Sequence, residues 1–212
     1  IAEATTDANG VVTFGNLDPN TTYYYKEITP PTNDVIKEKG FTAITTGSTG
    51  ENATVSATVQ NDRKATFKLH KTKEGGAAFG SITFSLFAVK DSTKDILADT
   101  NNLSGGTTKT TNSSGNASFT ELAPGNYWLV ETVPDGYETG KENGSYVTDA
   151  AGEWKVVTYD GKEYFYKKVT VEPGQNISGN ANYTQKTEEV TNTPTKGKIQ
   201  IKKYEAKSDG TP

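Results

Sequence analysis

The sequence predicts an all-β chain built in tandem copies, on three observations. Short runs of Val, Ile, Thr, Tyr and Phe are punctuated by Asn-Gly, Asp-Gly and Pro, the pattern of strands separated by turns. Several segments recur in the same order along the chain, which is how repeated modules appear in a sequence. Within the recurring strands, polar residues fall where alternation assigns the apolar face.

The strongest recurrence sets Thr5–Leu17, TTDANGVVTFGNL, against Thr110–Leu122, TTNSSGNASFTEL. The Thr pair, the Gly, the Phe and the Leu coincide without a gap. Each segment leads to a Tyr-rich strand, Tyr23-Tyr24-Tyr25-Lys26-Glu27 in one copy and Tyr127-Trp128-Leu129-Val130-Glu131 in the other. A second recurrence pairs Lys64–Gly76 with Gly197–Gly210, both carrying apolar-x-apolar-x-Lys. A third pairs Val59-Gln60-Asn61 with Val190-Thr191-Asn192. The boundaries follow: residues 1–62 are the later part of one domain, 63–196 a complete domain, and 197–212 the opening strand of another. Asp62-Arg63 and Thr193–Gly197 read as short linkers, so the domains form a semi-rigid string. With no methionine at all, the 212-residue chain reads as a mature or excised segment.

Composition excludes several functions. There is no cysteine, so disulfides, cysteine zinc sites and thiol catalysis are absent together. The net charge is −4, with charges interspersed, which argues against a nucleic-acid binder with a clustered basic face. No apolar stretch approaches a membrane span. No Ser-His-Asp set, phosphate loop or paired-carboxylate cleft is visible, so an ordinary enzyme is not expected, and no cofactor or metal is implied. His70 is the only histidine and reads as an exposed strand residue. Asp7-Ala8-Asn9-Gly10 reads as a turn, because the downstream Glu of a calcium loop is missing.

Alternation places Phe67, Leu69 and Lys71 on one face, with Lys68 and His70 on the other. Ile199, Ile201 and Lys203 line up likewise, as do Tyr127, Leu129 and Glu131, and Tyr23, Tyr25 and Glu27. Val190 shares a face with Asn192, and Val59 with Asn61. Each domain thus aims a Lys, a Glu and an Asn at its core. An unpaired buried charge is costly, so either these groups form a buried ion pair with an Asn hydrogen bond, or they react. Trp128 points away from the core face and is expected to cover an edge or a domain junction.

These elements resemble the CnaB family, the prealbumin-like repeats of Gram-positive adhesins and pilins. The resemblance rests on Phe67-x-Leu69-x-Lys71, the Ser81–Leu86 strand, Gly115-x-x-x-Phe119-x-x-Leu122, Tyr127-x-Leu129-x-Glu131 with Pro134, and Val190-x-Asn192. It implies tandem Greek-key β-sandwiches of the inverse-immunoglobulin, prealbumin-like kind. It also implies a self-formed isopeptide bond, with Lys71 as nucleophile, Asn192 as acyl donor and Glu131 as proton carrier. Glu27, Asn61 and Lys203 are the equivalents in the flanking partial copies. The chemistry fits, because burial favours a neutral amine and a protonated carboxyl, and folding supplies proximity. The cross-link would form once per domain, as maturation and not turnover.

The function expected from this resemblance is a stalk or shaft module of a bacterial surface adhesin or pilin. It would lie outside the cell, anchored to the wall through parts not in this chain. Its partners would be neighbouring domains, other copies in a fibre, and host extracellular matrix. A second expectation is a surface binding module for a host matrix protein or glycan, with Glu138–Tyr166 as an elaborated loop where such binding would occur. A third is an extracellular carbohydrate-binding accessory domain, which would carry no cross-link.

Overall fold

The alternation in Ala65-Thr-Phe-Lys-Leu-His-Lys71 becomes strand β5, in which Ala65, Phe67, Leu69 and Lys71 are all buried. The computed structural model describes residues 1–48, 54–139, 141–142, 145–146, 148–149, 152–174, 183–184 and 188–194. At 138–139, 141–142, 145–146, 148–149, 152–153, 183–184, 188–189 and 192–194 it describes the placement of the backbone alone.

Four short strands precede β5: β1 (Thr22–Tyr25), β2 (Asp34–Ile36), β3 (Thr42–Thr45) and β4 (Asn61–Arg63). After β5 (Ala65–Lys73) come β6 (Thr83–Ala88), helix α1 (Ile96–Thr100), β7 (Thr107–Thr110), β8 (Asn116–Leu122), β9 (Gly125–Thr132) and β10 (Tyr137–Thr139). Four two-residue strands follow: β11 (Lys141–Glu142), β12 (Ser145–Tyr146), β13 (Thr148–Asp149) and β14 (Gly152–Glu153). The hairpin β15 (Lys155–Tyr159) and β16 (Lys162–Val171), then β17 (Tyr183–Thr184) and β18 (Glu188–Pro194), complete the set.

The fold is all-β, in two layers. In one sheet β5 carries β8 antiparallel along one edge and β17 and β18 parallel along the other, with β10 outside β18. The other sheet runs β15-β16-β9-β6-β7, antiparallel throughout. Phe67, Leu69 and Phe119 of the first sheet meet Phe84, Leu129, Phe165 and Val169 of the second in one apolar cluster. That cluster is the core between the layers, the arrangement in which both sheets bury their alternate residues.

Three expectations are corrected. Asp62-Arg63 is not a linker but part of β4, because β2 supplies it with a ladder. Likewise Thr193 and Pro194 lie in β18, paired with β10. Glu138–Tyr166 is not a loop: its described residues form strands, and Asp160-Gly161 turns β15 into β16. Trp128 covers neither an edge nor a junction. It lies in a second apolar cluster on the outer face, with Phe87, Val130 and Ile96 of α1, and its Nε1 donates to Asp99 Oδ2 at 2.8 Å.

Candidate functional site

Lys71 and Glu131 meet between the sheets. Lys71 Nζ lies 3.2 Å from Glu131 Oε1 and 3.3 Å from Oε2. Both residues are wholly buried, at 0% exposure. Glu131 sits on the central strand of its sheet, with Phe84 and Phe165 as its cross-strand neighbours. The two aromatic rings wall the carboxylate off from water, so its contact with the amine acts in a medium of low polarity.

The backbone of Lys71 is fixed on both sides. Its N–H donates to Gly115 O at 2.7 Å, and its carbonyl accepts from Phe79 N at 2.9 Å. Gly115 has φ +75°, and a Cβ there would stand 2.3 Å from Lys71 O. The glycine of the recurring Gly-x-x-x-Phe motif is therefore a requirement of close approach to the lysine strand.

Burial lowers the Lys71 amine from 10.5 to about 8, although the nearby Glu131 carboxylate and its hydrogen bond work the other way. At neutral pH a usable fraction of the amine is therefore unprotonated. The pair can exist as ammonium and carboxylate, or as amine and carboxylic acid; both forms have no net charge.

Asn192 stands on β18, the parallel neighbour of β5. Its backbone is level with Lys73, and Val190 is level with Lys71. Val190 is buried in the core. The Asn192 side chain lies outside the described features, as does the whole of Lys203. In the N-terminal part, Asn61 Nδ2 donates to Glu27 Oε1 at 2.9 Å, so the two residues singled out there are brought together. Glu27 Oε2 and Asn61 Oδ1 are buried atoms without a hydrogen-bond partner. His70 is half-buried on the outer face, with Nδ1 2.9 Å from Asn116 Oδ1.

Among the described residues two buried charged side chains were not anticipated, Asp99 of α1, at 4% exposure, and Lys167. Lys167, on β16, is 2% exposed, and its Nζ lies 5.3 Å from the centre of the Trp154 ring, within cation–π range. The signal was present in Phe165-x-Lys167-x-Val169-x-Val171, where the same alternation turns the lysine inward. Among the described residues no group of three or more His, Asp or Glu is placed to hold a metal. Among those residues, too, no helix is long and apolar enough to cross a membrane.

Residues 65–163 match the model of the SpaA family, a prealbumin-like fold domain. Over this stretch the chain is similar to that family's domain. No curated protein sequence matches the chain. Among solved structures, the chain is similar to the full-length major pilin SpaD of Corynebacterium diphtheriae, at 25% identity and TM-score 0.37, over 63% of this chain and 31% of that one. It is similar to GBS52, the minor pilin of Streptococcus agalactiae, at 17% identity and TM-score 0.39, over 93% and 70%. It is similar also to the pilus 2b backbone protein of group B streptococcus, at 21% identity and TM-score 0.34, over 84% and 53%. The chain thus spans about a third of the SpaD pilin.

Proposed function

We propose that this chain is a structural module of a bacterial surface fibre or adhesin stalk, strengthened by an amide bond between Lys71 and Asn192. The observation that carries the reading is the sealed pair of Lys71, on the first strand of the sandwich, with Glu131, beside the strand that carries Asn192. The likeness of residues 65–163 to the SpaA family and the pilins with similar folds support it.

In the reaction, neutral Lys71 attacks the carboxamide carbon of Asn192 and a C–N bond forms. Glu131 takes the proton that the amine loses and delivers it to the departing nitrogen, which leaves as ammonia. The product is a secondary amide. Lys71 and Asn192 are consumed, so the protein is not an enzyme in the sense of turnover. Glu27 and Asn61 would serve a neighbouring copy as proton carrier and acyl donor, and Lys203 a further copy as nucleophile. The module's partners are adjacent domains and other fibre subunits at the Gram-positive cell surface.

The bond would bypass the loop from Lys71 to Asn192. Tension entering at the first strand would leave through the last without shearing the sheets. Single-molecule stretching of the chain between end tethers tests this. The expected trace lacks an unfolding step for the sandwich, and Asn192→Ala restores one. A wild-type trace with that step would refute the mechanical role.

A further inference from the structure

We infer that the joint between residues 1–62 and the sandwich is a locked joint, held at one angle by backbone bonds around Arg63 and Gly174 and by charge pairs that salt can loosen. The inference is independent of the cross-link.

Strand β4 pairs with β2 in the register Asp34–Arg63, Val35–Asp62 and Ile36–Asn61. Only Lys64 separates β4 from β5, and Lys64 N–H donates to Asn33 O at 2.9 Å. The ladder of the preceding part therefore continues to the last residue before the sandwich. From the sandwich side, Gly174 N–H donates to Arg63 O at 3.0 Å. Arg63 is thus gripped by β2 on one side and by the chain just beyond β16 on the other. A Cβ at position 174 would lie 2.4 Å from Arg63 Cγ and 2.9 Å from Lys64 O. Only glycine allows that approach.

Side chains add an electrostatic layer. Arg63 Nε lies 2.6 Å from Asp34 Oδ1, with Lys37 and Asp62 3.9 Å apart nearby. Lys64 Nζ donates to Thr32 O at 3.2 Å and to Glu121 Oε2 at 3.3 Å. Thr32 precedes β2 and Glu121 lies on β8, so one ammonium holds both bodies. A cleft of about 190 Å³ lined by Asp34, Asn61, Asp62, Arg63, Pro173 and Gly174 opens beside these groups. Solvent ions reach the partly exposed Lys37–Asp62 and Lys64–Glu121 pairs, while the contacting atoms of Arg63 and Asp34 are themselves buried. Bending the joint means turning the backbone at 62–64, which breaks bonds on both sides at once. The charge pairs weaken as the screening length falls from about 8 Å at physiological salt to about 3 Å at 1 M.

The absence of native cysteine allows clean labelling. Lys39→Cys and Lys109→Cys, both at exposed positions, would carry spin labels in the full chain, with pulsed electron resonance reading the distance distribution. In about 0.05 M salt one narrow distribution is expected, broadening in 1 M salt. Arg63→Gln keeps the backbone bonds and should be broad already in low salt. Gly174→Val should be broad at both salt levels. The melting transition followed by tryptophan fluorescence reports whether each variant's sandwich is folded. A broad wild-type distribution in low salt would overturn the inference. So would an Arg63→Gln distribution as narrow as wild type.

Discussion

The segments Asp7–Val11 and Asn112–Asn116 fold into the same turn and then part company. In each, one Asx side chain accepts from the backbone N–H two and four residues on, at 2.9 to 3.0 Å. In each, the first residue's N–H donates to the carbonyl four residues on, and the glycine N–H returns to the first carbonyl. The glycines have φ +76° and +75°. Beyond the turn, Asn116–Leu122 is strand β8, with Phe119 at 0% and Leu122 at 8% exposure. The matching Phe14 and Leu17 stand 43% and 41% exposed, outside any strand. The difference teaches which part of the repeat is local. Asx chemistry and a left-handed glycine settle the turn within five residues. The strand needs a partner, and β8 finds it in β5, where Phe119 stands opposite Phe67.

Four experiments would break or sharpen that contrast. The largest effect belongs to Asn192→Ala. Losing the proposed covalent loop of more than ~100 residues should cost about 5 kcal/mol. The apparent melting temperature of the sandwich should fall by roughly 10–20 °C. Phe119→Ala should cost about 3–5 kcal/mol, while Phe14→Ala stays within about 0.5 kcal/mol, both from denaturant titration. Both tryptophans, Trp128 and Trp154, lie in the sandwich, so their fluorescence reads its stability alone.

A pH titration of the Asn192→Ala variant comes next. Its amine cannot react and remains titratable. Lys71 falls to about 8 in the folded state, from 10.5. Between those values the unfolded chain binds more protons, so stability rises with pH from about 8 to 10.5, by up to about 3 kcal/mol. Below pH 8 the cost of burying the charge is fully present. Adding Lys71→Met should flatten the ramp. The smallest effect is the glycine pair. Gly10→Ala pays only for its left-handed backbone, about 1 kcal/mol. Gly115→Ala should cost about 2 kcal/mol more, because its Cβ would strike Lys71 O. Equal costs at the two glycines would show that the turn in the sandwich is no more constrained than its exposed twin.

Much of the fold was legible because alternation is a local signal. It placed Phe67, Leu69 and Lys71 inward on β5 and Tyr127, Leu129 and Glu131 inward on β9, and all six are buried. What escaped depends on partners distant in sequence. Asp62-Arg63 looks like a linker until β2 supplies its ladder. The polar run Asp91–Asp95 conceals α1, whose start is capped by Asp95 accepting from Ala98 N at 2.9 Å. That short helix turns the outward face of Trp128 into a second buried cluster. In the candidate site, the pairing of Lys71 with Glu131 followed from their faces. The depth of their burial did not, since it comes from Phe84 and Phe165 on strands that only the folded sheet places beside Glu131.

The central claim is chemical, and the intact mass of the purified, denatured chain tests it most directly. The account predicts a mass one ammonia lower than the sequence value, about 17 Da. Proteolytic mapping should then find one branched peptide joining Lys71 to Asn192. An unmodified mass, with both residues recovered in separate linear peptides, would contradict the cross-link and leave Lys71 and Glu131 as a buried ion pair alone.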